Sequence, residues 1–172
     1  MILRAATPAD AALLANLGSA SFVAAFGHMY CAADLASFLE GNHTPAKLAD
    51  QIADPAMRIR IAEEEGAALG FCKIVLAPSW PEIGAARYPV ELKQLYCAPG
   101  TTGRGTGAAL TEWALSEARA AGADEMRLSV WSGNDRAQKF YARHGFAKIA
   151  EITFQVGAQI DREFLFACKL DT

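Results

Sequence analysis

Apolar and polar positions along this chain repeat with two different periods, and the switches between them divide it into elements. From 126 to 131, Met126, Leu128 and Val130 alternate with Arg127, Ser129 and Trp131, a period of two that predicts a strand. Alternating or wholly apolar runs predict further strands over residues 2–5, 57–63, 68–76, 90–97, 147–156 and 163–170. Helical spacing takes over between them. Leu14, Leu17, Ser21, Ala24 and Ala25 share one face of a helix that reaches Phe26. A shorter helix holds Leu35, Phe38 and Leu39, and another holds Leu48 and Ile52. Leu110, Trp113, Ala114, Ala118 and Ala121 form a fourth apolar stripe, and Ala137, Phe140, Tyr141 and His144 a fifth.

Punctuation agrees with the periods. Thr7-Pro8 and Thr44-Pro45 each pair a hydroxyl N-cap with proline at the first helical position, and Asn134 caps the last helix. Gly27, Gly122 and Gly145 are stops. The turn 64–66 predicts a hairpin, 77–89 is a loop rich in proline and glycine, and 157–161 is a second turn. Strand, helix and strand across 90–131 imply a right-handed parallel crossover. The order β-α-α-(α)-β-β-β-α-β-α-β-β predicts an α/β (α+β) fold: a mixed central sheet of about seven strands with helices on both faces, one domain across 1–172.

The chemistry concentrates where the strand over 90–97 gives way to Gly103-Arg104-Gly105-Thr106-Gly107-Ala108 and then to a helix. The first backbone N–H groups of a helix lack internal partners and sit at the positive end of its dipole, so this arrangement suits an anion. Glycines let a phosphate approach, and Arg104 adds a cation, unless it is a solvated loop charge. A P-loop would need a Lys-Ser/Thr pair that is absent. A dinucleotide fingerprint fits Gly103, Gly105 and Ala108, but its acid should end the next strand, whereas Asp124 precedes it.

The run LKQLYCAPG followed by GRGTGAAL resembles the Q/R-x-x-G-x-G/A motif of the GNAT superfamily of acyl-CoA N-acyltransferases, with Thr102 where the first Gln or Arg usually stands. Asn134, Ala137, Phe140, Tyr141, Gly145 and Phe146 are similar to that superfamily's N-x-x-A-x-x-F-Y-x-x-x-G-F segment. SFVAAFG, ELKQLY, SVWSGNDRAQKFYARHGF and the late F-x-V-G turn at Phe154–Gly157 look like the spermine/spermidine acetyltransferases of the Pai type.

The resemblance implies an acetyl-CoA-dependent N-acetyltransferase. It would act on a primary amine, a polyamine or another small amine, by direct attack in a ternary complex. It implies that Leu95, Tyr96 and Cys97 lie where two strands splay to receive the pantetheine arm, and that Thr102, Gly103, Arg104, Gly105, Thr106, Gly107 and Ala108 hold the pyrophosphate. Asn134 would meet the pantetheine or cap its helix, and Tyr141 would be the general acid toward the coenzyme A thiolate. Glu91 on the central strand is the candidate general base, and Phe26, His28, Trp80 and Tyr88 are candidate acceptor-lining residues, with Phe22 beside them. Each has a plainer role open to it: core aromatic, surface charge, loop packing. Two other functions stay open, a coenzyme A-binding sensor without turnover and an acetyltransferase acting on a protein N-terminus or lysine.

Composition narrows the partners. A net charge of −3 argues against nucleic acid. The start MILRAATPAD has no apolar signal core and no run approaches the length of a membrane span, so a cytoplasmic protein off the membrane is expected. Cys31, Cys72, Cys97 and Cys168 lack CxxC spacing and read as small buried thiols, and His28, His43 and His144 lack ligand spacing, so no metal is expected. A homodimer is compatible with all of this.

Overall fold

The computed structural model describes residues 1–101 and 103–171. Along the chain run β1 (Ile2–Ala5), α1 (Ala11–Phe26), α2 (Ala32–Asn42), α3 (Pro45–Ala53), β2 (Met57–Glu64), β3 (Ala67–Val75), β4 (Pro89–Cys97), α4 (Thr106–Ala120), β5 (Glu125–Trp131), α5 (Asp135–Arg143), β6 (Ala147–Val156) and β7 (Gln159–Lys169), with 3-10 turns at Pro8–Asp10 and Gly27–Met29. The seven strands form one sheet in the order β1-β2-β3-β4-β5-β7-β6. The order and class agree with the sequence pattern.

Neighbouring strands are antiparallel except β4 and β5. Those two pair in parallel only through Pro89 with Glu125, Val90 with Met126 and Glu91 with Arg127. Both strands continue past that point, β4 to Cys97 and β5 to Trp131, so they part. Two causes are visible. Opposite β3, Lys73 pairs with Gln94 and Ile74 with Leu92, leaving Lys93 as the extra residue of a bulge that bends β4. β5 is meanwhile held along its whole length by β7.

Period-two alternation sends the sheet's side chains into two cores. Ile59, Ile61 and Phe71 pack with Leu14 and Leu48 beneath α1 and α3. Ala62, Cys72, Ile74, Val90 and Leu92 pack with Leu110, Ala114 and Ala118 of α4 on the other face. Leu14, Leu48 and Leu110 are completely buried, each contributing about 1.5–3 kcal/mol from burial.

Several details differ from the sequence pattern. The buried stripe of α1 is Ala11, Leu14, Ala15, Gly18, Ser21 and Phe22, while Ala24 and Ala25 face solvent. Ala121 is exposed at the end of α4, and Cys31 is exposed at the start of α2. The continuous helical stretch Pro8–Met29 spans 22 residues with mean hydropathy 1.4, long and apolar enough to cross a membrane, contrary to the expectation that no run approaches that length. Its alanines raise the hydropathy, and its 3-10 ends add length to α1. Here its inner face is part of the core. β7 begins at Gln159, not Glu163, because the hairpin turn needs only two residues, with Gly157 at φ 59°.

Candidate active site

The glycine turn takes its shape from left-handed backbone at two positions. Gly103 and Gly105 have φ of 86° and 80°, a left-handed backbone that a residue with Cβ adopts at a cost, and Gly105 is the N-cap of α4. A Cβ at either position would meet no atom within 4 Å, so the helix N-terminus opens onto free space. Arg104 is engaged by the Glu64 carboxylate at the end of β2, so its guanidinium is held across the turn. Thr106 is buried, and Ala108 is half-buried on the first turn of α4. Thr102 lies outside the described residues.

Behind the turn, α4, β4 and α5 meet. A Cβ at Gly107 would lie 3.5 Å from Phe140 Cζ and 3.8 Å from Cys97 Sγ. Tyr141 packs on the α4 core and stands edge-on to Phe140 and Phe146, with ring centroids 5.2 and 5.7 Å apart. Burial raises its phenol above the ordinary tyrosine range, and any charge on Cys72, Cys97 or Tyr96 raises it further. The phenol therefore keeps its proton at neutral pH. Asn134 caps α5, its side-chain oxygen accepting from Ala137 N at 3.0 Å. Of its two expected roles, the helix start is the one the structure displays.

The end of β4 is fixed from three sides. Ser21 Oγ of α1 donates to the Cys97 carbonyl at 3.1 Å. Thr101 Oγ1 donates to the carbonyls of Leu69 and Ala98. Gly70 of β3 lies so close that a Cβ there would stand 2.4 Å from the Tyr96 carbonyl oxygen. Gly70 carries no motif, and only the register of β3 on β4 reveals its part.

Leu95 packs toward α4, whereas Tyr96 faces the α1 side, edge-on to Phe71 and 5.8 Å from the ring of His43. Glu91 is the last residue of β4 paired with β5, at the point where the strands part. Its Oε2 is 3.6 Å from Lys93 Nζ. Its charge also supports the cation of buried Lys73, whose ammonium burial pulls down to about 7 and whose Nζ donates to Gln51 Oε1 at 2.6 Å.

The aromatic residues divide. Phe26 stands edge-on to Trp131 at 6.5 Å and beside Phe22 at 5.3 Å, and Phe22 stacks on Phe38 at 4.3 Å. His28 is exposed in the 3-10 turn next to them. Tyr88 does not join this group. It packs into the α4 core, its hydroxyl on the Leu76 carbonyl and its N–H on Asp124, because the start of β4 draws it under the sheet. Trp80, at φ 49°, gives its carbonyl to Arg127, which pins the 77–89 loop over β5 through Ser79 and Ile83 as well. Residues outside the sequence-derived set complete the α1 side: Tyr30, Phe38, His43, Phe154, Asp161 and Glu163. Tyr30 donates to Asp161 Oδ2 at 2.5 Å, and Phe38 meets Phe154 edge-on.

His43 is buried between Gly18, Phe22, Phe38 and Tyr96, and neither ring nitrogen has a hydrogen-bond partner among the described residues. Burial first, and the Lys73 charge second, pull it from 6.5 down to about 4. The neutral imidazole belongs to the folded state, so its contribution is complete above pH 6.5 and is lost as pH falls toward 4. Lowering the pH from 7 to 5 should cost about 2 kcal/mol through this group. Urea midpoints of the wild type and of His43→Phe at both values test this; a fall of equal size in the variant would assign the loss elsewhere.

β4 and β5 thus part between an open glycine turn at the start of α4 and a group of aromatic and acidic side chains on the α1 face. The profile of the Acetyltransferase (GNAT) family matches residues 26–146, and the chain belongs to that family. It is similar to an uncharacterized N-acetyltransferase of Mycobacterium bovis, 31% identical over 161 residues that cover 94% of this chain and 98% of the relative. Among solved structures it superposes on the PaiA N-acetyltransferase of Thermoplasma acidophilum in complex with coenzyme A, with TM-score 0.78 at 19% identity over 98% of both chains. It also superposes on yncA of Salmonella typhimurium with acetyl-CoA, with TM-score 0.69 at 22% identity over 100% of this chain and 95% of the other.

Proposed function

We propose that this chain transfers an acetyl group from acetyl-CoA to the primary amine of a small molecule by direct attack in a ternary complex, with a polyamine as the first acceptor to test. The observation that carries the proposal is the parting of β4 from β5 between the glycine turn and the acidic aromatic group. Resemblance to the Pai-type enzymes supports the polyamine. Acetyl-CoA supplies the acyl group as a thioester.

The chain's own groups are suited to the remaining tasks. The N–H groups at the start of α4 bind a pyrophosphate, since their space is open and the helix dipole favours negative charge. Among the described residues no strand lies beside Leu95, Tyr96 and Cys97 on the β5 side of β4, so that edge offers backbone groups to an amide-bearing arm. A β4 amide directed at the carbonyl oxygen would stabilise developing negative charge by about 3–4 kcal/mol. Tyr141 holds its proton and donates to the departing sulfur. Because burial makes it a weaker acid than a free phenol, its transfer is helped by the proton the attacking amine releases.

A primary amine has a pKa near ~10.4 and arrives protonated. Glu91, at the mouth of the parted strands, is the base in this proposal, directly or through water. Glu91→Gln should lower kcat/KM at neutral pH about 10²-fold or more, with part of the loss recovered at high pH as free amine accumulates. Thiol release from acetyl-CoA with an amine panel including spermidine tests the function. Coenzyme A binding without thiol release from any amine would favour the sensor, and a pH profile of Glu91→Gln identical to wild type would remove Glu91 as base.

A further inference from the structure

The short β6–β7 turn places Asp161 and Glu163 two residues apart on β7, so both point to one face, and both are about nine-tenths buried. They differ in their partners. Asp161 uses both oxygens, Oδ2 for the Tyr30 hydroxyl and Oδ1 for Gln159 Nε2 at 2.7 Å. Glu163 Oε2 has no hydrogen-bond partner among the described residues, although it has no exposed surface. Burial raises the Glu163 carboxyl above its usual range, the Ser129 hydroxyl opposing and the Asp161 charge adding.

Burial makes that orphan unusual: of the three buried carboxylates among the described residues, Asp10 is paired with Arg4 and Asp161 is satisfied by Tyr30 and Gln159, which leaves Glu163 Oε2 without a donor. Neither Asp161 nor Glu163 forms an ion pair among the described residues, and Asp34 at the β6–β7 turn, whose Oδ1 accepts from Ala158 N, adds a third unpaired carboxylate beyond them against the same hairpin. On β4, Gln94 Oε1 is a second buried oxygen without a partner among the described residues, on the same face as Tyr96. Buried carboxylates and amides are ordinarily paired. Both of these orphan oxygens are acceptors, so what is missing beside them is a donor. An ammonium is a donor on every N–H and has no acceptor to waste. Around Glu163 stand Tyr30 and Tyr96, both of whose phenols feel its charge, and its β5 register partner Trp131, which Phe26 meets edge-on.

We infer that Glu163 receives an ammonium of the acceptor, a second cationic nitrogen apart from the amine that attacks, and that the Phe22, Phe26 and Trp131 side chains cover the apolar part of the acceptor beside it. This rests on the acetyltransferase function proposed above. Glu163 is a specificity residue in this assignment, distinct from Glu91 on β4. An acceptor must part the aromatic side chains to reach it, since they leave its free oxygen no exposed surface.

Calorimetry on the full chain saturated with coenzyme A tests the assignment without requiring turnover. The probes are 2-phenylethylamine and its neutral isostere 2-phenylethanol. Wild type should bind the amine about 10-fold more tightly or better, and Glu163→Gln should bind the two alike, with coenzyme A affinity unchanged. Thermal melting of the coenzyme-free protein gives an independent arm: removing an unpaired buried charge should leave the Tm of Glu163→Gln equal to or above wild type. An amine preference that survives in Glu163→Gln, an absent preference in wild type, or a Tm that falls in the variant overturns the assignment. Loss of coenzyme A binding in the wild type would instead overturn the acetyltransferase function.

Discussion

Tyr141→Phe is expected to lower kcat about 100-fold while the KM for acetyl-CoA stays within about threefold. The ring contributes packing against Phe140, Phe146 and the α4 core, and phenylalanine keeps all of it. What disappears is one hydroxyl, in a site where burial and the Cys97 and Tyr96 neighbours favour the protonated form. A group so placed acts only when negative charge develops beside it, and departing sulfur is where such charge develops. The loss should therefore fall on kcat. Normal turnover per folded molecule combined with a lower Tm would make Tyr141 a core aromatic and nothing more.

Gly107→Val is expected to weaken coenzyme A binding on the order of 100-fold, the size expected from losing two charge-assisted hydrogen bonds. A single Cβ at this position sits 3.5 Å from Phe140 Cζ, an ordinary contact, so Gly107→Ala should be tolerated and bind nearly as wild type. The two methyl groups of valine have no such room. They must either displace Phe140, and with it the middle of α5, or project over the N–H groups of the first turn of α4. Circular dichroism at matched concentration separates unfolding from lost affinity. Unchanged coenzyme A binding in folded Gly107→Val would remove the glycine turn from the cofactor site.

The elements that announced themselves in the sequence are those with strong local causes. Thr44-Pro45 opens α3 with the Thr44 hydroxyl on Lys47 N, Asn134 caps α5, and Gly122 and Gly145 sit at φ 78° and 84° after α4 and α5. The glycine turn was legible for the same reason, since its conformation is set by its own residues. The group of aromatic and acidic side chains on the α1 face was not. Asp161 and Glu163 resemble turn and surface charges until the two-residue hairpin draws them onto β7, and their burial depends on Tyr30 and Trp131, distant in sequence. Tyr88 was misplaced because a loop aromatic gives no sign of which side of a sheet it will meet. His43 was passed over for lack of ligand spacing, yet its environment comes from Gly18, Phe22, Phe38 and Tyr96 on separate elements.

The short seam between β4 and β5 has a mechanical side. Pro89, Val90 and Glu91 are the β4 residues that pair with β5, so the sheet consists of two plates, β1 through β4 and β5 through β7, hinged along one edge. On the α4 face the helix spans the joint, packing on β3, β4 and β5 in a single core. On the α1 face the joint is crossed by the C-terminal half of α1, through one hydrogen bond from Ser21 to β4 and one aromatic contact from Phe26 to Trp131 of β5. Opening the hinge therefore widens the α1 face and leaves the α4 face nearly fixed. A molecule lodged between the plates would stiffen them against each other, and the same flexing would let a bulky acceptor in and a product out without disturbing the glycine turn at the start of α4.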